Sequence, residues 1–192
     1  MRASLRKIVP LILVIAGIAL LIAGLLLLKS GPAQTTQGIA IGQVALVPGG
    51  SQTLVEKGVP APDFEIKYPD GSKVRLSDLK GKPVLVNFWA TWCKFCEAEM
   101  PAIQAAYEKY KAQGFVVIAI DSKESKRTVA NFFSDRGLTF TVAIDPTDAV
   151  FRRYRGSGWP HSVFVDKQGI VSDIYIGQMS ASQIEKFLAA IR

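Results

Sequence analysis

The pattern of apolar and polar positions changes character twice along the chain. From Ile8 to Leu28 the sequence IVPLILVIAGIALLIAGLLLL runs 21 residues without a charge or a hydrogen-bonding side chain. As a helix it would measure about 31 Å, enough to cross a hydrocarbon core of about 30 Å once. Residues 29–57 follow with Gly, Gln, Ser and Thr and no sustained period, which reads as a linker. Within it the apolar patch from Ile39 to Val47 is expected to add at most an edge strand.

From residue 58 onward the pattern is that of a folded domain. Phe64–Tyr68 and Lys73–Leu76 alternate around Pro69-Asp70-Gly71, which predicts a β-hairpin. Val84–Trp89 (VLVNFW) is short and nearly continuous in apolar residues, as in a strand covered on both faces. A helix is expected from Cys93 to about Lys111, with Gly114 as its terminator. Strands follow at 115–120, 140–144, 162–166 and 170–176, and helices at 124–135 and 147–154. Ser180 and Gln183 form a capping box for a last helix, 181–191. Short central strands alternating with helices, with a hairpin at each end, predict a three-layer α/β/α domain over 58–192.

Charge refines this picture. The chain carries 23 Lys+Arg against 16 Asp+Glu, but Arg2, Arg6, Lys7 and Lys29 flank the apolar run, leaving 19 against 16. So small and scattered an excess does not make a nucleic-acid surface. The three cations before the run, against one after it, predict a cytoplasmic N-terminus at 1–7, an anchor at 8–28, and the remainder on the extracytoplasmic side. A cleaved signal peptide is the competing reading, but its apolar core is usually shorter, and Ser30-Gly31-Pro32-Ala33 is a poor cleavage signal.

Two cysteines and one histidine in 192 residues exclude disulfide frameworks, zinc-finger arrays and His-based triads. Cys93-Lys94-Phe95-Cys96 falls where a buried strand hands over to a helix. Unpaired N–H groups and the positive dipole end there favour a thiolate at Cys93, the expected nucleophile. Cys96, one turn further in, is placed to attack a mixed disulfide on Cys93. An inert cross-link is the first alternative, yet closing so short a loop stabilises by only about 2 kcal/mol, against nearly 5 for a loop of about 100 residues. A zinc site is the second, and it lacks ligands. A peroxidase would need a single peroxidatic thiol behind a Thr/Pro signature, which the residues before Cys93 lack.

The segment NFWATWCKFCEAEMP resembles the active-site stretch of membrane-anchored thioredoxin-like thiol-disulfide oxidoreductases of the TlpA/ResA type. So do Ala61–Phe64 (APDF), Leu76–Cys93, and Gly158-Trp159-Pro160 before the strand SVFVD. The resemblance implies a thioredoxin fold, a reversible Cys93–Cys96 disulfide, a cis bond before Pro160, and a Trp159-Pro160 segment that docks substrate backbone. It also implies protein thiol substrates such as apocytochrome c, a membrane thiol donor of the CcdA/DsbD type, and no organic cofactor or metal.

Glu99 lies three residues after Cys96 and projects to the same side of a helix. Cytoplasmic thioredoxins keep a buried acid six residues before the first cysteine, where this chain has Asn87, so by resemblance Glu99 takes the proton-relay role. Its alternative is simple complementing of the helix dipole. Trp92 is expected to be an exposed contact surface and Trp89 to pack. His161 departs from the family's usual threonine. It is either structural or the third ligand, with Cys93 and Cys96, of a soft-metal site such as Cu(I), which would make the protein a copper chaperone.

Overall fold

Strand formation follows the expected β-branched and aromatic runs, and one strand comes from a segment whose composition conceals it. The computed structural model describes residues 39–49 and 53–192. The expected anchor at 8–28 and its flanks lie outside the described residues, among which no helix is long and apolar enough to cross a membrane. Among the described residues eight strands form one mixed sheet: β1 (Gly42–Leu46), β2 (Phe64–Lys67), β3 (Lys73–Arg75), β4 (Val84–Trp89), β5 (Val116–Ser122), β6 (Thr141–Asp145), β7 (His161–Val165) and β8 (Val171–Ile176). Their order is β3-β2-β1-β6-β5-β4-β7-β8. The β1/β6, β6/β5 and β5/β4 pairs are parallel, and the β1/β2, β2/β3, β4/β7 and β7/β8 pairs are antiparallel.

Among the described residues four α-helices cover the sheet: α1 (Lys94–Tyr110), α2 (Lys126–Asp135), α3 (Ala149–Arg153) and α4 (Ala181–Ile191). Each start has a local cause. Ser125 Oγ accepts the Thr128 N–H, and Ser180 and Gln183 form the anticipated capping box. The Asp145 carboxylate takes the N–H groups of Ala149, Val150 and Phe151, so the strand end itself caps α3. One core joins Leu85, Trp89 and Val117 of the sheet to Met100 and Ile103 of α1, Phe133 of α2 and Leu188 of α4. The other face, with Val86, Phe88 and Ile120, is covered by α3 and by the turn around Leu76. The three layers therefore stand, with most of the helical mass on one side.

The segment expected to be a linker with an edge strand is different in the structure. β1 is internal, paired with β2 on one side and with β6 on the other. It joins the hairpin to the rest of the sheet, so the sheet takes in a strand that lies before residue 58. Its Gly, Gln and Ala content hides the strand, yet Ile41 and Val44 are buried. Gly42 is there for closeness: a Cβ at that position would stand 2.3 Å from Ile66 Cγ2 and 3.4 Å from the Lys67 carbonyl oxygen. Gly42→Ala is therefore expected to destabilise the fold by about 1–3 kcal/mol through overpacking, measured as a lowered urea midpoint at unchanged slope. A neutral result would mean that β1 does not dock as described.

Candidate active site

All six residues of β4 are buried, and the strand delivers the chain to the cysteines. Between it and α1, Thr91 is clamped from outside the loop: its N–H and its hydroxyl both donate to the Glu124 carboxylate at 2.6 Å. Asp121 at the end of β5 fixes Glu124 in turn, accepting its backbone N–H at 2.9 Å. Burial, and then the neighbouring Glu124 carboxylate, push the Asp121 carboxyl up to about 8, so it carries its proton at neutral pH. Glu124 and Asp121 were not anticipated from the sequence, because nothing in SKES signals a partner more than 30 positions away.

Cys93 is the N-cap of α1, which thus begins one residue later than expected, and its sulfur accepts the Cys96 N–H at 3.1 Å. An electron-rich sulfur in the cap position faces the unpaired N–H groups of the first turn, the arrangement that favours a thiolate. The two sulfurs are joined as a disulfide. Cys93 retains 7% of its surface and Cys96 none, so the outer sulfur is the one open to attack.

Glu99 is completely buried one turn beyond Cys96. Its Oε1 accepts from Asn87 Nδ2 at 2.8 Å, and its Oε2 from the Met179 N–H at 2.9 Å. Burial pushes its carboxyl up to about 7, against the lowering effect of those two donors. Glu97, the other acid of the first turns, is exposed and ion-paired with Arg136, so dipole complementing falls to that residue.

The β4/β7 register sorts the remaining candidates. Asn87 faces Ser162 and Phe88 faces His161, so alternation places Asn87 and Ser162 on the α1 side and His161 on the other. His161 indeed packs against the rings of Phe88 and Phe151, centroids 5.8 and 6.2 Å away. Burial pushes its imidazole down to about 4, opposed in part by the Tyr154 backbone, so it is neutral. The proposed three-ligand metal site is therefore not assembled: no group of three or more His, Cys, Asp or Glu able to hold a metal ion occurs among the described residues.

The Trp159–Pro160 bond is cis. Trp159 stacks on Phe151 at 4.8 Å and meets Trp92 edge to face at 5.3 Å, so the cis-proline segment and the cysteine loop are joined by aromatic contact. Trp92 is exposed, as expected, and Trp89 is buried against Phe132 and Phe133. Phe95 and Ile176, both exposed, were not singled out from the sequence. The apolar position inside the Cys-x-x-Cys was the available signal for Phe95.

A thioredoxin-type sheet with a Cys-x-x-Cys disulfide at the start of its first helix and a cis-proline at the head of a neighbouring strand defines a thiol-disulfide oxidoreductase. The comparisons agree. The sequence model of the AhpC/TSA family matches residues 58–174. Thiol-disulfide oxidoreductase ResA of Bacillus thuringiensis (strain Al Hakam) is 42% identical over 134 residues, 70% of this chain and 78% of that protein. Its counterpart from Bacillus subtilis (strain 168) is 35% identical over 138 residues, 72% of this chain and 77% of that one. The crystal structure of a putative thiol:disulfide interchange protein DsbE from Chlorobium tepidum superposes with a TM-score of 0.65 at 35% identity, covering 72% of this chain and 99% of that one. This chain belongs to the ResA-type thiol-disulfide oxidoreductases and is an enzyme of that class.

The environment of Glu99 has a measurable consequence for stability. Unfolded, its carboxyl ionises near 4.5, and folded, near 7. Between those values the folded state keeps a proton that the unfolded state has released, so stability falls as pH rises through the window and the loss levels off above it. The size is about 3 kcal/mol. Glu99→Gln is expected to remove that component while those of Asp121 and His161 remain, so the difference between the urea midpoints of the two proteins changes from about pH 4.5 to 8. Parallel curves would show that Glu99 is not held as described.

Proposed function

We propose that this enzyme is an extracytoplasmic protein-disulfide reductase, held to the membrane by residues 8–28 and acting in cytochrome c maturation. The observation that carries the reading is the pairing of an accessible, helix-capping Cys93 with a buried Cys96 and a buried, high-pKa Glu99 one turn on. The apolar run with its cations on the N-terminal side supports the anchor and its direction. The relatives bearing the name ResA support the protein-thiol chemistry.

In this scheme the Cys93 thiolate attacks one sulfur of a substrate disulfide, forms a mixed disulfide, and expels the other substrate sulfur as a thiolate. Cys96 then gives its proton to Glu99 and attacks the Cys93 sulfur. The Cys93–Cys96 bond forms, the bond to substrate breaks, and the second substrate thiolate leaves, so two electrons have passed from the dithiol to the substrate. Trp92, Trp159 and Pro160 form the surface on which the substrate backbone docks, and apocytochrome c is the expected substrate. Electrons return from a membrane thiol donor of the CcdA/DsbD type. The dithiol supplies both electrons, so the cycle calls for no organic cofactor or metal.

Cys96→Ser is expected to accumulate a covalent partner through Cys93, visible as a reductant-sensitive adduct on a non-reducing gel. Equal adducts on Cys96 in Cys93→Ser would overturn the ordered roles. Equilibration with glutathione or dithiothreitol is expected to place the pair nearer the thioredoxin end, about −270 mV, than the oxidant end, about −120 mV. A value at the oxidant end would reverse the direction.

A further inference from the structure

Asn87 is the one polar residue of β4, wholly buried in the middle of the sheet. Its Nδ2 donates twice, to Glu99 Oε1 at 2.8 Å and to Ser162 Oγ at 2.9 Å, while its Oδ1 has no partner. That arrangement fits an ionised Glu99, whose two oxygens both face N–H donors, Asn87 and Met179. It does not fit the protonated acid. A carboxylic O–H needs an acceptor, and both groups bonded to Glu99 are donors. An unpaired O–H at this depth would be costly.

Asn87 Oδ1 supplies the missing acceptor. A half-turn of the amide, a broad two-fold torsion, exchanges Oδ1 with Nδ2 while occupying the same space. Oδ1 then accepts from the Glu99 carboxyl O–H and from the Ser162 hydroxyl, and both hydrogen bonds survive with their direction reversed. Each orientation leaves one side of the amide unpaired, so neither protonation state of Glu99 is favoured by that count.

We propose that Asn87 is a positioning residue whose side-chain amide turns as Glu99 gains and loses a proton, keeping the acid bonded to β4, and through Asn87 linked to Ser162 of β7, in both states. The inference rests on the reading of Glu99 as the acceptor of the Cys96 proton and gives that acceptor a means of holding it. The groups bonded to Glu99 from β4 and from the segment before α4, and the Ser162 hydroxyl behind them on β7, are all neutral, and no charged side chain contributes to the Glu99 shift. In the oxidised protein, where the cysteines do not titrate, Glu99 is therefore the group whose proton the amide follows.

The test is a titration of the isotopically labelled full-length chain, oxidised and in detergent micelles, from about pH 5 to 9. The Asn87 side-chain amide signals are expected to move with the midpoint of the Glu99 carboxyl carbon, with contacts from the Nδ2 protons to Ser162 lost on the acid side. Amide signals that stay fixed while Glu99 titrates would overturn the proposal. Asn87→Ala is expected to slow release of a mixed disulfide about tenfold and to displace its pH profile. A rate and profile equal to wild type would also overturn it, and if that variant does not fold, the wild-type titration decides. Glu99→Gln separates the two ideas: full release rate in that variant defeats the relay reading while a coupled amide rotation still stands, and a Glu99 that does not titrate in this range defeats both.

Discussion

A carboxyl group taken wholly out of water must be given partners or neutralised, and Glu99 is given partners from two directions. One comes from the sheet through Asn87, and one from the segment entering α4 through the Met179 N–H. Because Asn87 also holds Ser162, the cysteine helix, the central strand and the cis-proline strand are tied at one buried point. The cost of burying the acid is spread over three elements that must already be in register. The site is therefore built by the fold as a whole and not by the Cys-x-x-Cys loop alone.

The parts of this that could be read in the sequence are those set by local pattern. β4 announces itself as a continuous apolar run, α4 by its capping box, and Cys93 by its place between strand and helix. A strand was expected around β1 but its internal place was not legible, because that depends on Gly42 fitting against Ile66, a contact across more than 20 positions that composition does not display. The same limit applies to Thr91 and Glu124, whose bonds close a loop through space.

His161 shows how much depends on register. Beside Pro160 in sequence, it looked able to join the sulfurs. A strand turns alternate side chains to opposite faces, and the pairing of Phe88 with His161 sends the imidazole into the α3 side. One residue on, Ser162 faces α1. Proximity along the chain and membership of a site are separate matters in a sheet, and here a shift of one residue decides between a metal ligand and an aromatic-core histidine.

Two buried acids in this protein have raised pKa values, and the size of the shift does not tell them apart. Asp121 is pushed up to about 8 and Glu99 to about 7. Asp121 receives a backbone N–H in a turn and stands behind Glu124, whose own carboxylate is spent on Thr91. Asp121 is thus engaged in bracing the loop that leads to Cys93. Glu99 lies one helical turn from Cys96, on the same face, with a pKa at which both protonation states are populated near neutrality. A perturbed pKa marks where burial has been costly, and in the cycle proposed above it is the position of Cys96 that gives Glu99 a proton to accept.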